Sequence, residues 1–426
     1  MGKSWGKTVY KSKASTFFKS FPKVIHIFPQ LFHKLENVFF RIGEEFSTTP
    51  TETLLLLLLL LLFPSNLAKH FILPQSYVLG IVVDYLIPTI YLTELLLLLL
   101  LISSALRKRK HRVKQSSPLA LLILLFLLSL LPSFWVATEK VSALFRFVEI
   151  SLWFCFSFWV SERISWEKHH RVFQVLGWGV FWVSLLALGQ FLLQHYIFGY
   201  WFLGEPLLTP SLGGVAHGSL FGVDVLRAYG TFPHPDVLGG VVGIVLVWIA
   251  SARLWKRFSV GVVGVLISLS RVAWVSTVGG LLSLLFLGGG MSLALINDFS
   301  LSRRIELLQS AWAMFKSAPL VGIGLGQFVS ALPRFGLPSG MSLFLQPVHN
   351  IFALIAAESG VFALVAFLAL LLFAFRETLR KRRFLLAISL LQLVFLGLFD
   401  HYLYTLPQGL FILSLTLGLS FSYSDK

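Results

Sequence analysis

Apolar stretches long enough to cross a lipid bilayer recur along most of this chain. Residues 54–62 and 95–101 are unbroken leucine runs, and the 426 residues are 56% hydrophobic and 13% charged, with a mean hydropathy of +0.82. A bilayer core of roughly 30 Å is crossed by a helix of about 20 apolar residues. This pattern excludes a soluble domain and predicts an all-α polytopic membrane protein with about 10 to 12 transmembrane helices.

Basic residues are concentrated between the apolar stretches. Of the 35 Lys and Arg residues, 26 fall in six places: residues 1–50, 107–114, 163–171, 253–257, 376–383 and Lys426. Such clusters mark cytoplasmic loops, because positive charge is retained on the inner side of a membrane. The net charge of +16 therefore reflects topology and attraction to anionic lipid, and it does not indicate nucleic acid as a partner.

These charges set the predicted course of the chain. Residues 1–48 form a basic cytoplasmic segment, either interfacial or disordered, and residues 49–426 form one transmembrane domain with both termini in the cytoplasm. Residues 194–234 and 291–348 are expected to face outward. The predicted crossings lie near residues 52–68, 87–106, 118–137, 142–162, 172–193, 235–252, 258–290, 349–375, 384–400 and 405–421.

The segment 258–290 is too long for one straight crossing and too short for two comfortable ones, because it would extend about 50 Å as a helix. It is interrupted by Ser268-Leu269-Ser270-Arg271. One net crossing keeps the basic residues 376–383 in the cytoplasm, so we expect a broken or bent helix with Arg271 at the break. A guanidinium at membrane depth rarely faces lipid, which favours a functional role for Arg271.

Two further outward segments carry polar motifs. Residues 227–236 combine an Arg with Gly and Pro, and they either bind an anionic headgroup or form a structural loop. Residues 304–350 begin as an amphipathic helix and end at His349, which stands at the mouth of a predicted crossing. Histidine exchanges protons near neutral pH, so His349 is a candidate for chemistry. Glu358 follows about 13 Å deeper along a straight helix, where we expect it to brace a neighbouring helix.

Gly322, Gly324 and Gly326 alternate with other residues in a pattern that resembles a nucleotide-binding loop. No strand precedes them, no Lys-Ser/Thr follows, and the segment faces away from ATP. Close backbone packing or a turn is the better interpretation.

The order and spacing of these motifs resemble the O-antigen ligase and polymerase superfamily of bacterial envelope glycan assembly. The resemblance covers roughly residues 225–375. Four motifs carry it: Arg-x-x-Gly-Thr-Phe-x-His-Pro from Arg227, Ser-Arg at 270–271, an Arg-to-Trp helix from Arg304 followed by Pro-Leu-x-Gly-x-Gly-Leu-Gly-x-Phe, and His-Asn-x-Phe-x-Leu-x-x-x-x-Glu-x-Gly from His349.

The resemblance implies a fold and an activity. Members of this family have the GT-C-like multi-helix fold of glycosyltransferases that use lipid-linked sugars. They act on glycans carried by undecaprenyl diphosphate, on the outer face of the bacterial inner (cytoplasmic) membrane, and need no nucleotide sugar. The expected partners are therefore an undecaprenyl-diphosphate-linked glycan donor, a glycan or lipid acceptor and the bilayer, with a catalytic region at about residues 225–360.

The implied chemistry assigns roles to the motif residues. A lipid diphosphate is anionic and calls for arginines that bind phosphate in bidentate fashion, which Arg271 and Arg304 fit, with Arg227 as a weaker third. An acceptor hydroxyl needs a base, for which His349 is the candidate. Supporting roles are expected for three further motif residues: Asn350, Glu358 and His234.

Several alternatives stay open from the sequence. Ligation to lipid A core, polymerisation of repeat units and transfer to protein hydroxyls share these motifs, and the short external segment before His349 leaves the acceptor open. A transporter or flippase of lipid-linked sugars would use the same arginines without needing a base. The sequence has no Asp-x-Asp and no His, Asp and Glu cluster with metal-ligand spacing, so we expect no metal and no cofactor.

Overall fold

The computed structural model describes residues 48–106, 118–285, 299–337 and 345–424. Most of them are helical, as predicted. The helices are α1 (Pro50–Leu62), α2 (Leu92–Leu106), α3 (Pro118–Val136), α4 (Lys140–Arg163), α5 (His169–Leu193), α6 (Pro235–Ser251), α7 (Trp255–Ile267), α8 (Arg271–Leu285), α9 (Phe299–Ser317), α10 (Phe328–Phe335), α11 (Ile351–Arg380), α12 (Phe384–Phe399), α13 (Tyr402–Thr405) and α14 (Pro407–Phe421).

Among the described residues, four helices are long and apolar enough to span a membrane: α3, α4, α5 and α11. Six shorter apolar helices accompany them: α1, α2, α6, α8, α12 and α14. The described helices coincide with the predicted crossings to within a few residues at most ends. The chain is therefore a multi-pass membrane protein. The predicted interfacial segment at residues 1–48 lies outside the described residues except for its last position, and so do residues 291–298 and 338–344 of the predicted external segment.

In the part of the chain that the structure describes, three short antiparallel ribbons interrupt the helices, and the sequence did not predict them. They pair β1 (Ala68–His70) with β4 (Thr89–Tyr91), β2 (Tyr77–Val78) with β3 (Ile81–Val82), and β5 (His217–Leu220) with β6 (Val223–Leu226). The first two ribbons fill the connection between α1 and α2. The third lies in the predicted outward segment 194–234, where Gly218 packs against Leu269 and Arg227.

The basic segments meet at one end of the helical bundle. Arg383 donates hydrogen bonds to the carbonyl oxygens of Leu419 and Ser420 at the end of α14, and its guanidinium lies 4.7 Å from the ring centre of Trp166. The backbone N–H of Trp166 in turn bonds the carbonyl of Tyr423. Residues 163–171, 376–383 and 419–424 thus form a common basic end, and α6 and α11 begin at the opposite end.

The break at Arg271 is present, but the predicted single crossing is wrong. Gly261 of α7 packs on Leu246, whereas Gly239, nearer the start of α6, packs on Ser268, so α7 runs antiparallel to α6. Gly239 also contacts Ala273, and Gly243 contacts Thr277, so α8 runs parallel to α6. Helices α7 and α8 are therefore a hairpin.

The reversal between α7 and α8 is made by a tight local turn. Leu269 adopts a left-handed conformation, with φ of 49°. The Ser268 hydroxyl accepts from the N–H of Ser270, and the Ser270 hydroxyl accepts from the N–H of Ala273, so serines cap both helix ends. Small residues on α6 let both short helices pack closely against it.

The glycine-rich turn after α9 packs backbone against backbone, as predicted. Gly322 has a φ of 70°, and a Cβ there would lie 2.2 Å from the carbonyl carbon of Glu358. Gly360 has a φ of 77° and a non-helical conformation inside α11, which kinks the helix at that point. A side chain at either position would separate the turn from α11.

Candidate functional site

A cavity of about 310 Å³ opens at the end of the bundle opposite the basic end. Its volume is at the small end of the range of about 300–1,000 Å³ that is typical of ligand sites. Its wall comes from segments that are distant in the sequence. The main contributions are residues 84–91, 142–149, 233–237, 346–349 and 400–406, together with Gly326, Val329, Leu354 and Glu358.

His349 is held at this cavity by the start of α11. Asn350 caps the helix, because its side chain accepts from the N–H of Ala353 at 2.9 Å and donates to the carbonyl of Leu398 at 3.2 Å. The second bond ties the beginning of α11 to the end of α12. It brings Nδ1 of His349 within 3.4 Å of Oδ1 of Asp400, with both side chains mostly buried.

Asp400 stays ionised in this buried position. Burial alone would raise the pKa of Asp400, but its contact with His349 and the positive charge of Arg304 outweigh burial and hold that pKa well below its usual range. The carboxylate also accepts from the backbone N–H of His401 at 2.7 Å.

His401 lies beside this pair as an uncharged group. Its ring centre is 5.3 Å from that of His349, and its Nδ1 is 2.7 Å from the hydroxyl oxygen of Thr405. Burial lowers the pKa of His401 to about 3, against the attraction of Asp400. His401 is therefore neutral near pH 7.

The geometry of His349 and Asp400 suits general base catalysis. A carboxylate beside Nδ1 favours the tautomer that carries its proton there, which leaves Nε2 as a proton acceptor. The same carboxylate stabilises the imidazolium that forms when a hydroxyl gives up its proton. The 3.4 Å separation is long for a hydrogen bond, as is common before substrate binds.

The same three side chains could hold a metal ion. The ligand atoms of His349, Asp400 and His401 all lie within 4.8 Å of one another. Two imidazoles and one carboxylate form a donor set that Zn²⁺ or Fe²⁺ accepts. The sequence showed no cluster with metal-ligand spacing, because these residues come together only when α11 and α12 pack.

The structure separates the three predicted diphosphate ligands. Arg304 donates from Nη1 to the carbonyl of Phe399 at 2.9 Å, which places its charge beside Asp400. Arg227 donates to the carbonyl of Ser268 at 2.7 Å and to Asp236 at 2.6 Å. Arg271 is exposed at the start of α8, next to the turn that Arg227 holds. In the described part of the chain, none of the three lines the cavity wall.

The predicted supporting residues have distinct placements. Asn350 is the cap of α11, and His234 lines the cavity as the cap of α6, where it accepts from the N–H of Asp236. Glu358 accepts from the N–H groups of Gly326 and Phe328 at 3.1 and 3.0 Å, so it braces the glycine-rich turn. It also lines the same cavity as His349.

Sequence reasoning missed Asp400 and His401 as site residues. The available signal was an acidic residue followed by a histidine at the end of an apolar run, since ionisable residues at membrane boundaries usually have a function.

Comparison with known protein families supports the resemblance. Residues 237–368 match the family model described as O-antigen ligase, a span that includes His349, Arg271 and Arg304. The similarity inferred from the motifs is therefore confirmed over these residues, and it supports a glycosyl-transferring function in cell-envelope polysaccharide assembly. A search of curated proteins gives no match.

Proposed function

We propose that the protein is an integral-membrane glycosyltransferase that moves a glycan from undecaprenyl diphosphate to an acceptor outside the cytoplasm. The observation that carries this proposal is the His349 and Asp400 pair in a cavity at the end of the bundle opposite the basic residues. Because basic loops are retained inside, the cavity would open on the extracytoplasmic face of the bacterial inner membrane.

The proposed step is a displacement at the anomeric carbon of the donor sugar. The acceptor hydroxyl gives its proton to Nε2 of His349 while its oxygen forms a bond to that carbon. The bond between the anomeric carbon and the diphosphate oxygen breaks, and its electron pair leaves with undecaprenyl diphosphate. Asp400 stabilises the imidazolium, and arginine charge stabilises the departing diphosphate.

Arg304 is the arginine best placed for this role, because its charge lies beside Asp400. Arg227 and Arg271 flank the turn between α7 and α8, where they would bind the donor further from the reacting carbon. We propose that these arginines supply the charge stabilisation without a metal. A metal ion bound among His349, Asp400 and His401 would be repelled by the positive charge of the Arg304 guanidinium.

The architecture fits the same proposal. We propose a GT-C-like arrangement with 10 to 12 crossings, in which residues 1–48 are cytoplasmic, residues 49–426 form the transmembrane domain, and residues 225–360 form the catalytic region. The part of the predicted external segment that begins at Arg304 would lie on the face of the cavity, because Arg304 bonds the carbonyl of Phe399 at the end of α12.

Ligation, repeat-unit polymerisation and protein O-glycosylation would all use this base, so they remain variants of one mechanism. A flippase would not need it. The discriminating experiment replaces His349 with Ala and measures both glycan release from the lipid donor and movement of the donor across vesicle membranes.

We expect His349→Ala to lower transfer by a factor of about 10² to 10⁴, with donor binding retained. Gln at this position should not restore transfer, because an amide cannot accept the proton. His217→Ala is the matched control, since His217 pairs with Asp224 on the exposed ribbon. Full transfer by His349→Ala would contradict the mechanism.

The metal-independent mechanism has its own test. The wild type should keep its transfer rate after treatment with EDTA. Loss of transfer that returns on addition of Zn²⁺ or Mg²⁺ would show instead that His349, Asp400 and His401 hold a metal ion.

A further inference from the structure

We propose that the cavity wall formed by residues 84–91 and 142–149 binds the acceptor, and that the acceptor group bound there is an uncharged sugar. This wall, called the acceptor wall below, borders the residues that carry the proposed base. The inference rests on the proposed function, because it assigns the second substrate of the same cavity.

The acceptor wall is separate from the family-matched region. The match covers residues 237–368, which include His349 and Arg304, whereas the acceptor wall comes from the connection before α2 and the first turns of α4. The proposed base is thus carried by the matched region, and this part of the cavity surface is formed by segments that precede it in the chain. A surface of this kind suits the substrate that differs among glycosyltransferases of similar mechanism.

Tyr85 gives the acceptor wall an aromatic surface next to the proposed base. Its ring is 39% exposed and lines the cavity. It meets the ring of His401 edge-on, with 5.2 Å between centroids, and His401 in turn lies beside His349. The C–H groups of a sugar pack well on the electron-rich face of a phenol ring. A sugar on Tyr85 would therefore present its hydroxyls close to His349.

Arg146 offers an unused hydrogen-bond donor on the same wall. Its guanidinium pairs with Glu149 through Nη1 and lies 4.8 Å from the ring centre of Tyr404. Its Nη2 is buried and has no hydrogen-bond partner among the described residues. A buried N–H without a partner is costly, so an oxygen atom of a bound ligand would stabilise it.

The charge of the acceptor wall favours a neutral ligand. Glu149 balances the charge of Arg146, so this wall has no net charge that would attract an anion. An anionic group would meet the carboxylate of Glu149, whereas a sugar hydroxyl can accept a hydrogen bond from Arg146 without adding a charge. The anionic diphosphate of the donor would instead be held near Arg304, at the end of α12.

Binding is tested first on an array of neutral, amino-substituted and phosphorylated oligosaccharides, with purified protein in lipid nanodiscs. We expect neutral oligosaccharides to bind the wild type and the His349→Ala variant alike. Tyr85→Ala should weaken that binding about tenfold and Tyr85→Phe much less, because the ring is kept. Tyr77→Ala is the matched control, since Tyr77 is an exposed tyrosine of the same connection that does not line the cavity.

The best neutral ligand from the array is then used as acceptor in a transfer assay. Tyr85→Ala should raise the KM for this acceptor about tenfold and leave the KM for the lipid donor unchanged. The proposal would be overturned if the wild type bound no oligosaccharide or preferred phosphorylated sugars. It would also be overturned if Tyr85→Ala changed only the KM for the donor. If His349→Ala kept full transfer while the array result held, the proposed mechanism would fail and the sugar site would stand.

Discussion

Nδ1 of His349 lies 3.4 Å from Oδ1 of Asp400, and the two residues stand at adjoining ends of antiparallel helices. His349 is two residues before α11, and Asp400 directly follows α12. The pair is fixed by the bond from Asn350 to the carbonyl of Leu398, which joins the two helix ends. The orientation of the imidazole is therefore a property of helix packing and does not depend on a flexible loop.

Replacing Asp400 with Asn should slow transfer by a factor of about 10² and leave the KM for the lipid donor unchanged. The amide keeps the shape of the side chain but cannot stabilise an imidazolium. Asp224→Asn is a close control, because it alters a His–Asp pair on the exposed ribbon. Equal rates for the Asp400 variant and the wild type would remove Asp400 from the mechanism.

Replacing Arg304 or Arg271 with Lys should reduce transfer at low donor concentration by about 10-fold or more, because an ammonium lacks the bidentate fork for phosphate. Arg334→Lys serves as the control, since Arg334 is an exposed arginine of α10. Expression and thermal unfolding of each variant are measured alongside. An unchanged kcat/KM for the lipid donor in either variant would limit that arginine to a structural role.

The buried neutral His401 should make the protein less stable at acidic pH. The pKa of His401 is lowered to about 3 in the folded protein, against roughly 6.5 when unfolded. Between these values the unfolded chain binds a proton that the folded protein does not. The free energy of unfolding is therefore unaffected by His401 above about pH 6.5. Below that pH it falls by up to about 1.4 kcal/mol per pH unit.

Thermal unfolding midpoints at pH 7.5 and 5.5, in EDTA-containing buffer, check this dependence. His401→Gln should show a smaller shift between the two pH values, because Gln keeps a polar side chain near Thr405 but does not titrate. Equal pH shifts in the variant and the wild type would assign the acid sensitivity to other groups.

Cysteine labelling tests the orientation of the bundle. In a Cys155→Ser background, which removes the single cysteine, Ser219→Cys on the exposed ribbon should react with an impermeant thiol reagent in intact spheroplasts. Arg382→Cys, at the basic end, should react only after permeabilisation. The reverse pattern would place the cavity on the cytoplasmic face.

The sequence predicted the positions of the crossings because an apolar run ends where charged residues begin. The crossing expected at 384–400 is helix α12 at Phe384–Phe399, and the one at 172–193 is part of α5. The direction of the chain after Arg271 was harder to predict. Segments of 13 and 15 residues looked too short to cross the membrane separately in opposite directions. The glycines of α6 that let these helices pack closely act only through tertiary packing.

The site was predictable only in part, because its residues also come together through tertiary packing. His349 stood out because a histidine beside a long apolar run is unusual. Its partner Asp400 is on a different helix, and no local pattern indicates that the start of α11 meets the end of α12. The acceptor wall was invisible too, because Tyr85 and Arg146 lie in segments without a recognisable motif.

The close contact of Gly322 and Gly360 with neighbouring backbone affects how this protein can diversify. A Cβ at Gly322 would lie 2.2 Å from the carbonyl carbon of Glu358, and one at Gly360 would lie 2.3 Å from the carbonyl oxygen of Leu320. Single substitutions there would displace α11, on which the position of His349 depends. Tyr85, in contrast, is partly exposed in a short turn, where replacement of a single side chain leaves the packing of α11 unchanged. A lineage could therefore acquire a new acceptor while inheriting its reaction chemistry intact.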